Sequence, residues 1–251
     1  MKNKITYIII LIVLIIVWQY FGSNNQTVRL FISSPSLIVD YFSENRIELI
    51  EATYTTLLEA LTGLLIATCF SFLMMILCFA KPKFMDFILP VMVTSQVIPV
   101  IVLAPFFIIL FGIGLCSKIA MAAIISFFPV FVNFAQGYKA ISRNIHELMS
   151  IYEAPLSFRI KNVYFPLAMP SIMAGLKVSA TLAVIGAIVA EFTGAETGLG
   201  KNLFISAIRL EPDLMMSSLI LSTIIGLGLF GIVKAIENKL GKWYQDEKGL
   251  R

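Results

Sequence analysis

Residues Phe87–Phe111 read FILPVMVTSQVIPVIVLAPFFIILF, twenty-five residues with no Asp, Glu, Lys, Arg or His, interrupted by Pro90, Pro99 and Pro105. A bilayer's hydrocarbon core is about 30 Å thick and is crossed by about 20 apolar residues in a helix, so this run reads as a membrane span. Proline has no N–H and clashes with the preceding turn, so the helix must kink or break and release backbone carbonyls at membrane depth. Irregular backbone survives there only where protein buries it or where it lines a cavity. Ser95 and Gln96, just before Pro99, are therefore candidates for facing such a cavity, with Pro99 as the break itself. The alternative for Gln96 is a bond to the backbone of a neighbouring helix.

Working outward, five more runs are long and apolar enough to cross: Ile5–Phe21, Thr55–Ala80, Ile119–Tyr138, Leu167–Ala190 and Leu214–Ile236. The expected fold is all-α, a polytopic membrane protein with six transmembrane helices. Composition agrees, because only 14% of the 251 residues are charged against about 25% in soluble domains, and mean hydropathy is +0.91. That balance excludes a disordered chain, a nucleic-acid-binding domain and a disulfide-stapled secreted domain. Cys69, Cys78 and Cys116 lie in or beside apolar runs without CxxC spacing and read as small hydrophobes. The basic start Met1–Lys4 is also compatible with a signal peptide, but no small-residue cleavage site follows Gln19–Tyr20, so the first run reads as a retained helix.

Lys and Arg set the orientation. With a cytoplasmic N-terminus, thirteen of the nineteen, from Lys2 and Lys4 to Lys248 and Arg251, fall on the inside, and five, including Arg29, Lys118 and Lys201, fall outside. Both termini are expected in the cytoplasm of a multi-pass cell-membrane protein. The longest segments between spans are too short for a soluble catalytic domain, so residues 1–251 read as one membrane domain. Its parts are an N-terminal helix and outer segment over 1–54, a core over 55–243, and an inner loop over about 139–166.

No G-x-x-x-x-G-K-[ST] run is present, so nucleotide phosphates have no P-loop here and any ATPase must be another chain. His146 is the sole histidine and lies in the inner loop, which leaves no His-based metal cluster. Within the expected spans, apart from Lys234 two residues from the inner end of the last one, only Glu59 and Lys177 are charged, too few for membrane-embedded catalysis. A structural ion pair is the first reading of each, whether with one another or elsewhere, and contact with a solute in a translocation path is the second.

The loop segment Asn144–Leu156 reads NIHELMSIYEAPL. Asn144 with Glu147 three residues on suggests a capping box, Ile145, Leu148, Met149 and Tyr152 recur at helical spacing, and Pro155 should stop the helix at about Ala154. Such a helix can lie on lipid headgroups beside Arg143, Arg159 and Lys161, or offer its apolar stripe to a groove on a soluble partner. On the opposite side, Glu191–Asp213 carries Gly194, Gly198 and Gly200 and then a short amphipathic stretch, Asn202–Leu210.

The segment Glu147-Leu148-Met149-Ser150-Ile151-Tyr152-Glu153-Ala154, followed by Val163-Tyr164-Phe165-Pro166, resembles the cytoplasmic loop of permease subunits of binding-protein-dependent ABC importers. Aligned on Pro166, Glu147 takes the family's Glu, Leu148 and Met149 stand for two Ala, and Glu153 stands where the family has Gly. Ile98–Pro105, Phe111–Gly114, Ser117-Lys118, Phe127–Val130, Asn133, Gly175–Lys177, Ala190–Phe192 and Gly198–Gly200 resemble the nitrate/sulfonate/taurine branch in order and spacing. Glu59 stands where many relatives carry Arg. The resemblance implies a type I ABC importer permease acting as a homodimer or a paired permease, with two copies of a cytoplasmic ATPase that binds the ATP, and an extracytoplasmic solute-binding protein. The permease itself then needs no cofactor and contacts membrane lipid, and its loop residues Glu147 to Ala154 and Pro166 couple to the ATPase. A stand-alone secondary carrier is the alternative, although neither inverted repeats nor coupling-ion carboxylates at mid-depth are visible. Alkanesulfonates, taurine, nitrate, thiamine-related pyrimidines and riboflavin all remain open as solutes.

Overall fold

The computed structural model describes residues 2–24, 29 and 31–247, so Lys248 and Arg251 of the orientation count lie outside the described residues. The described residues form helices and connecting turns without strands. In chain order the helices are α1 (Lys2–Asn24), α2 (Pro35–Glu44), α3 (Arg46–Ala80), α4 (Pro82–Ser95), α5 (Val100–Phe111), α6 (Leu115–Lys139), α7 (Arg143–Ile151), α8 (Leu156–Phe158), α9 (Phe165–Glu191), α10 (Leu199–Arg209) and α11 (Pro212–Glu247). Four are long and apolar enough to cross a membrane: α3, α6, α8 with α9 as one rod, and α11. Helices α4 and α5 make a fifth crossing only as a pair, bent by 102° at the break between Ser95 and Val100. The expected first span falls on α1, whose described apolar stretch, Ile12–Ser23, is shorter than a bilayer crossing.

Helix α6 is the centre, packed against α9 on one side and α3 on the other. Lipid is as apolar as a leucine side chain, so close association depends on small residues that let backbones meet. Ala122 of α6 is a point where both neighbours approach closely. A Cβ on Gly63 of α3 would lie 2.9 Å from Ala123 N, and one on Gly186 of α9 would lie 2.8 Å from Ala122 Cα. Hydroxyls bridge the same seams, with Ser179 Oγ donating to Ser126 O at 2.7 Å and Ser71 Oγ to Phe127 O at 3.3 Å. Below this layer the core is aromatic, where Phe79, Phe134, Tyr138 and Tyr164 pack ring to ring.

Two helix junctions explain boundaries that the sequence misplaces. Before α9 the backbone makes a π-helical turn over Arg159–Tyr164, and Phe165 N–H reaches back to Ile160 O. Pro166 then takes the second position of α9, where a missing N–H is tolerated. At the other junction, α6 starts at Leu115 rather than Ile119, so Lys118 sits in its first turn and not in a loop. Helix α2 anchors the N-terminal segment to the bundle: the Ser33 hydroxyl bonds the Asp213 carboxylate, and Trp18 Nε1 donates to Ser33 O at 2.9 Å.

Candidate translocation path and docking helix

At the α10 end of the bundle the structure gathers a buried ionic cluster. Glu59 of α3 is fully buried, and its Oε1 lies 3.1 Å from Lys118 Nζ of α6, itself only 8% exposed. Neither Glu59 oxygen has an aligned hydrogen bond among the described residues, so the pair is held by charge. Glu191, the last residue of α9 and also buried, is a neighbour close enough to act on Glu59 electrostatically. Its carboxylate has a separate task. Oε1 accepts from Thr56 Oγ1 at 2.7 Å and Oε2 from Gly200 N–H at 2.5 Å, while Leu199 N–H donates to Thr56 Oγ1 at 2.9 Å. Glu191 thus caps the N-terminus of α10, where free amides and the helix dipole both favour a negative charge. Gly198, with φ at +134°, makes room for it, since a Cβ there would collide with the carboxylate.

Lys177 and Glu59 do not meet. Lys177 Nζ binds both oxygens of Glu237, at 2.7 and 2.9 Å, bridging α9 to α11. The physical reason is that α11 continues as an unbroken helix past the expected end at Ile236, which holds Glu237 against α9. Lys118, Glu191 and Glu237 are not legible as partners in the sequence because they fall outside the expected spans, and Thr56 because it carries no charge. The signals in the sequence are Ser117-Lys118, Ala190–Phe192 and Gly198–Gly200, which are among the segments that carry the family resemblance.

Beside the α4/α5 elbow lies a cavity of about 470 Å³ between α3, α4, α5 and α6. Ser95 and Gln96 line it, together with Phe70, Phe107, Phe127 and Phe128. Pro99 takes the N-cap position of α5 in extended conformation, and Pro90 and Pro105 lie inside α4 and α5. The three prolines therefore place one true break and two internal breaks in the hydrogen-bond ladder.

Helix α7 sits at the opposite end, and its cap differs from the expected one. Ser142 is the N-cap residue, and Glu147 reaches Arg143 Nε at 2.8 Å instead of an N-terminal amide. The expected apolar stripe divides in two. Ile145 and Met149 are half-buried toward the bundle, and His146 packs on the Tyr138 and Tyr164 rings with Nδ1 3.3 Å from the Tyr164 hydroxyl. Leu148, Ile151 and Tyr152 face outward, 46%, 77% and 74% exposed. The helix ends at Ile151, three residues before Ala154, in a Schellman motif: Glu153 N–H bonds Ser150 O at 3.0 Å and Ala154 N–H bonds Met149 O at 3.2 Å. That motif needs a left-handed residue, and Glu153 supplies it at φ +48°. Among the described residues no group of three His, Cys, Asp or Glu side chains is arranged to hold a metal ion.

A bundle of crossing helices with one broken span beside a cavity is the architecture of a membrane-embedded transport subunit. Residues 67–242 match the family described as binding-protein-dependent transport system inner membrane component. The chain belongs to that family and is a permease subunit of an ABC importer. A probable ABC transporter permease of Haemophilus influenzae is 31% identical over 219 residues, covering 87% of this chain and 89% of the relative. The formylaminopyrimidine transport permease of Halalkalibacterium halodurans is 32% identical over 72% of each chain. A putative aliphatic sulfonates transport permease of Bacillus subtilis is 26% identical, covering 94% of this chain and 87% of the relative.

Proposed function

We propose that residues 1–251 form one permease domain, with a core over 55–243, that pairs with a second permease, engages two copies of a cytoplasmic ATPase, and passes a small solute handed over by an extracytoplasmic binding protein. Both termini and α7 lie on the cytoplasmic side, where most Lys and Arg fall, and α10 faces the binding protein. The cavity beside the elbow lies on the path of the solute. ATP binding draws the two ATPases together, α7 moves with them, and the bundle rocks to open the path to the other side.

One observation carries this reading: Leu148, Ile151 and Tyr152 form an i, i+3, i+4 apolar face that none of the described residues covers. A helix offering such a face fits a groove on a folded partner. Its reverse side is fastened to the aromatic core through Ile145 and His146, so movement of the partner is transmitted into α6 and the π-turn. The runner-up occupant is the lipid surface.

Co-purification of a tagged partner ATPase separates the two. Central aromatic anchors often contribute 2 kcal/mol or more, about thirtyfold in affinity, so Tyr152→Ala and Leu148→Asp/Ile151→Asp should each release the ATPase. Undiminished co-purification and uptake at equal membrane levels would place α7 on lipid and defeat the coupling assignment.

A further inference from the structure

We infer that the elbow cavity takes an uncharged, flat solute, a heteroaromatic ring with an amide-like hydrogen-bonding edge, and rejects sulfonate-type anions. The inference rests on the reading that this cavity lies on the solute path. At about 470 Å³ it falls within the size range of small-molecule sites. Its surface is mostly apolar, with the phenyl rings of Phe70, Phe107, Phe127 and Phe128 and two polar side chains, Ser95 and Gln96.

Charge decides against an anion. Among the described residues no Lys, Arg or His lines the cavity. Lys118, two residues before the lining Ala120 on α6, is buried and already paired with Glu59 at 3.1 Å. Lys177, the other lysine held in the helical core, is bound by both oxygens of Glu237. A sulfonate entering here would give up hydration and meet no free cation among the described residues. A cation fares little better. Among the described residues no carboxylate lines the cavity, and phenyl rings are weaker cation hosts than indoles.

An uncharged ring meets none of these penalties and gains offset or edge contacts with the phenyls. The polar pair then fixes its orientation. Ser95 spends its proton on Met92 O at 2.7 Å and presents only lone pairs. The Gln96 amide is exposed at the cavity and makes no hydrogen bond among the described residues, so it offers one acceptor and two donors side by side. That pattern complements the adjacent ring nitrogen and amino group of an aminopyrimidine or the N–H and carbonyl of a cyclic amide.

The test uses the purified permease in phosphatidylcholine nanodiscs and ligand-observed saturation-transfer NMR at pH 7.5. The probes are 4-aminopyrimidine, methanesulfonate and tetramethylammonium, each read against empty nanodiscs. The pyrimidine should show saturation that falls at least threefold in Gln96→Leu and in Ile124→Trp, which fills the cavity from an exposed lining position, while the two ions stay at the empty-nanodisc level. Saturation of either ion that is lost in the same variants overturns the inference. So does pyrimidine saturation indifferent to both variants, or no saturation from any probe. Gln96→Leu should still co-purify the ATPase. Loss of pyrimidine binding with co-purification intact therefore reports on the cavity alone, whereas failure of the wild type to hold the ATPase defeats the importer assembly instead.

Discussion

Replacing Lys118 with Met should destabilise the permease by about 3 to 4 kcal/mol, while the double change Glu59→Leu/Lys118→Met should restore it to within about 1 kcal/mol of the wild type. Glu59 is fully buried, and its nearest partner is the Lys118 ammonium at 3.1 Å. Removing one member of a buried pair costs about 3 to 5 kcal/mol because an uncompensated charge is left behind. Chemistry sets a ceiling: taking up a proton on an ordinary carboxylate, of pKa about 4.3, costs about 3.7 kcal/mol at pH 7, so the loss should stop near that value. The reverse change, Glu59→Gln, should cost less, about 1 to 2 kcal/mol, since the long lysine stem can carry its ammonium toward the surface. Replacing both by apolar residues of similar volume removes the desolvation penalty together with the attraction. Reversible unfolding in mixed micelles, read as a double-mutant cycle, gives the coupling energy, expected at about 2 kcal/mol or more. Additive single-mutant effects, or a Lys118→Met protein as stable as the wild type, would show that the two charges do not depend on each other and refute the reasoning.

Two further outcomes follow from α7. Glu153 holds a left-handed conformation that costs a non-glycine residue about 1 kcal/mol, so Glu153→Gly should slow exchange of the Glu153 and Ala154 amides severalfold without weakening ATPase co-purification; faster exchange would mean that the carboxylate itself holds the turn. Burial holds the His146 imidazole below its ordinary 6.5, so the unfolded segment is protonated first: the stability this contact gives α7 is complete above about 6.5 and is lost as pH falls through the lower folded value. Exchange of α7 amides, corrected for intrinsic rates, should therefore quicken between pH 7.5 and 5.5 in the wild type and not in His146→Phe.

The crossing helices were legible because bilayer thickness imposes a length of charge-free chain that local sequence shows directly. The break at Pro99 was legible for the same local reason, since a missing N–H acts within its own turn. What escaped was set by distant partners. Lys118 looked like a loop cation until Glu59 from α3 drew it into the first turn of α6. Glu191 looked like the start of a loop, but its carboxylate folds back to cap α10. The apolar residues of α7 looked like one stripe, yet Ile145 and Met149 turn inward while Leu148 and Tyr152 turn outward, a division that depends on where Tyr138 and Tyr164 arrive. Even the replaced loop glycine had a local meaning that spacing alone hides, because Glu153 occupies the left-handed position at which a Schellman motif favours glycine.

The elbow also constrains how the protein is made. Helix α4 has 14 residues and α5 has 12, about 21 and 18 Å of helix, and neither half alone reaches across a hydrocarbon core of about 30 Å. During synthesis the insertion machinery therefore meets one stretch of 25 uncharged residues and must release it into lipid as a single hydrophobic segment, before any right-angled shape has protein around it. The 102° bend exposes backbone that lipid cannot satisfy, so it becomes affordable only once α6 has been synthesised and docked on α3. The turn at Pro99 is then a late acquisition of the nascent chain, and the segment that emerges from the ribosome as an ordinary anchor ends its maturation as a corner.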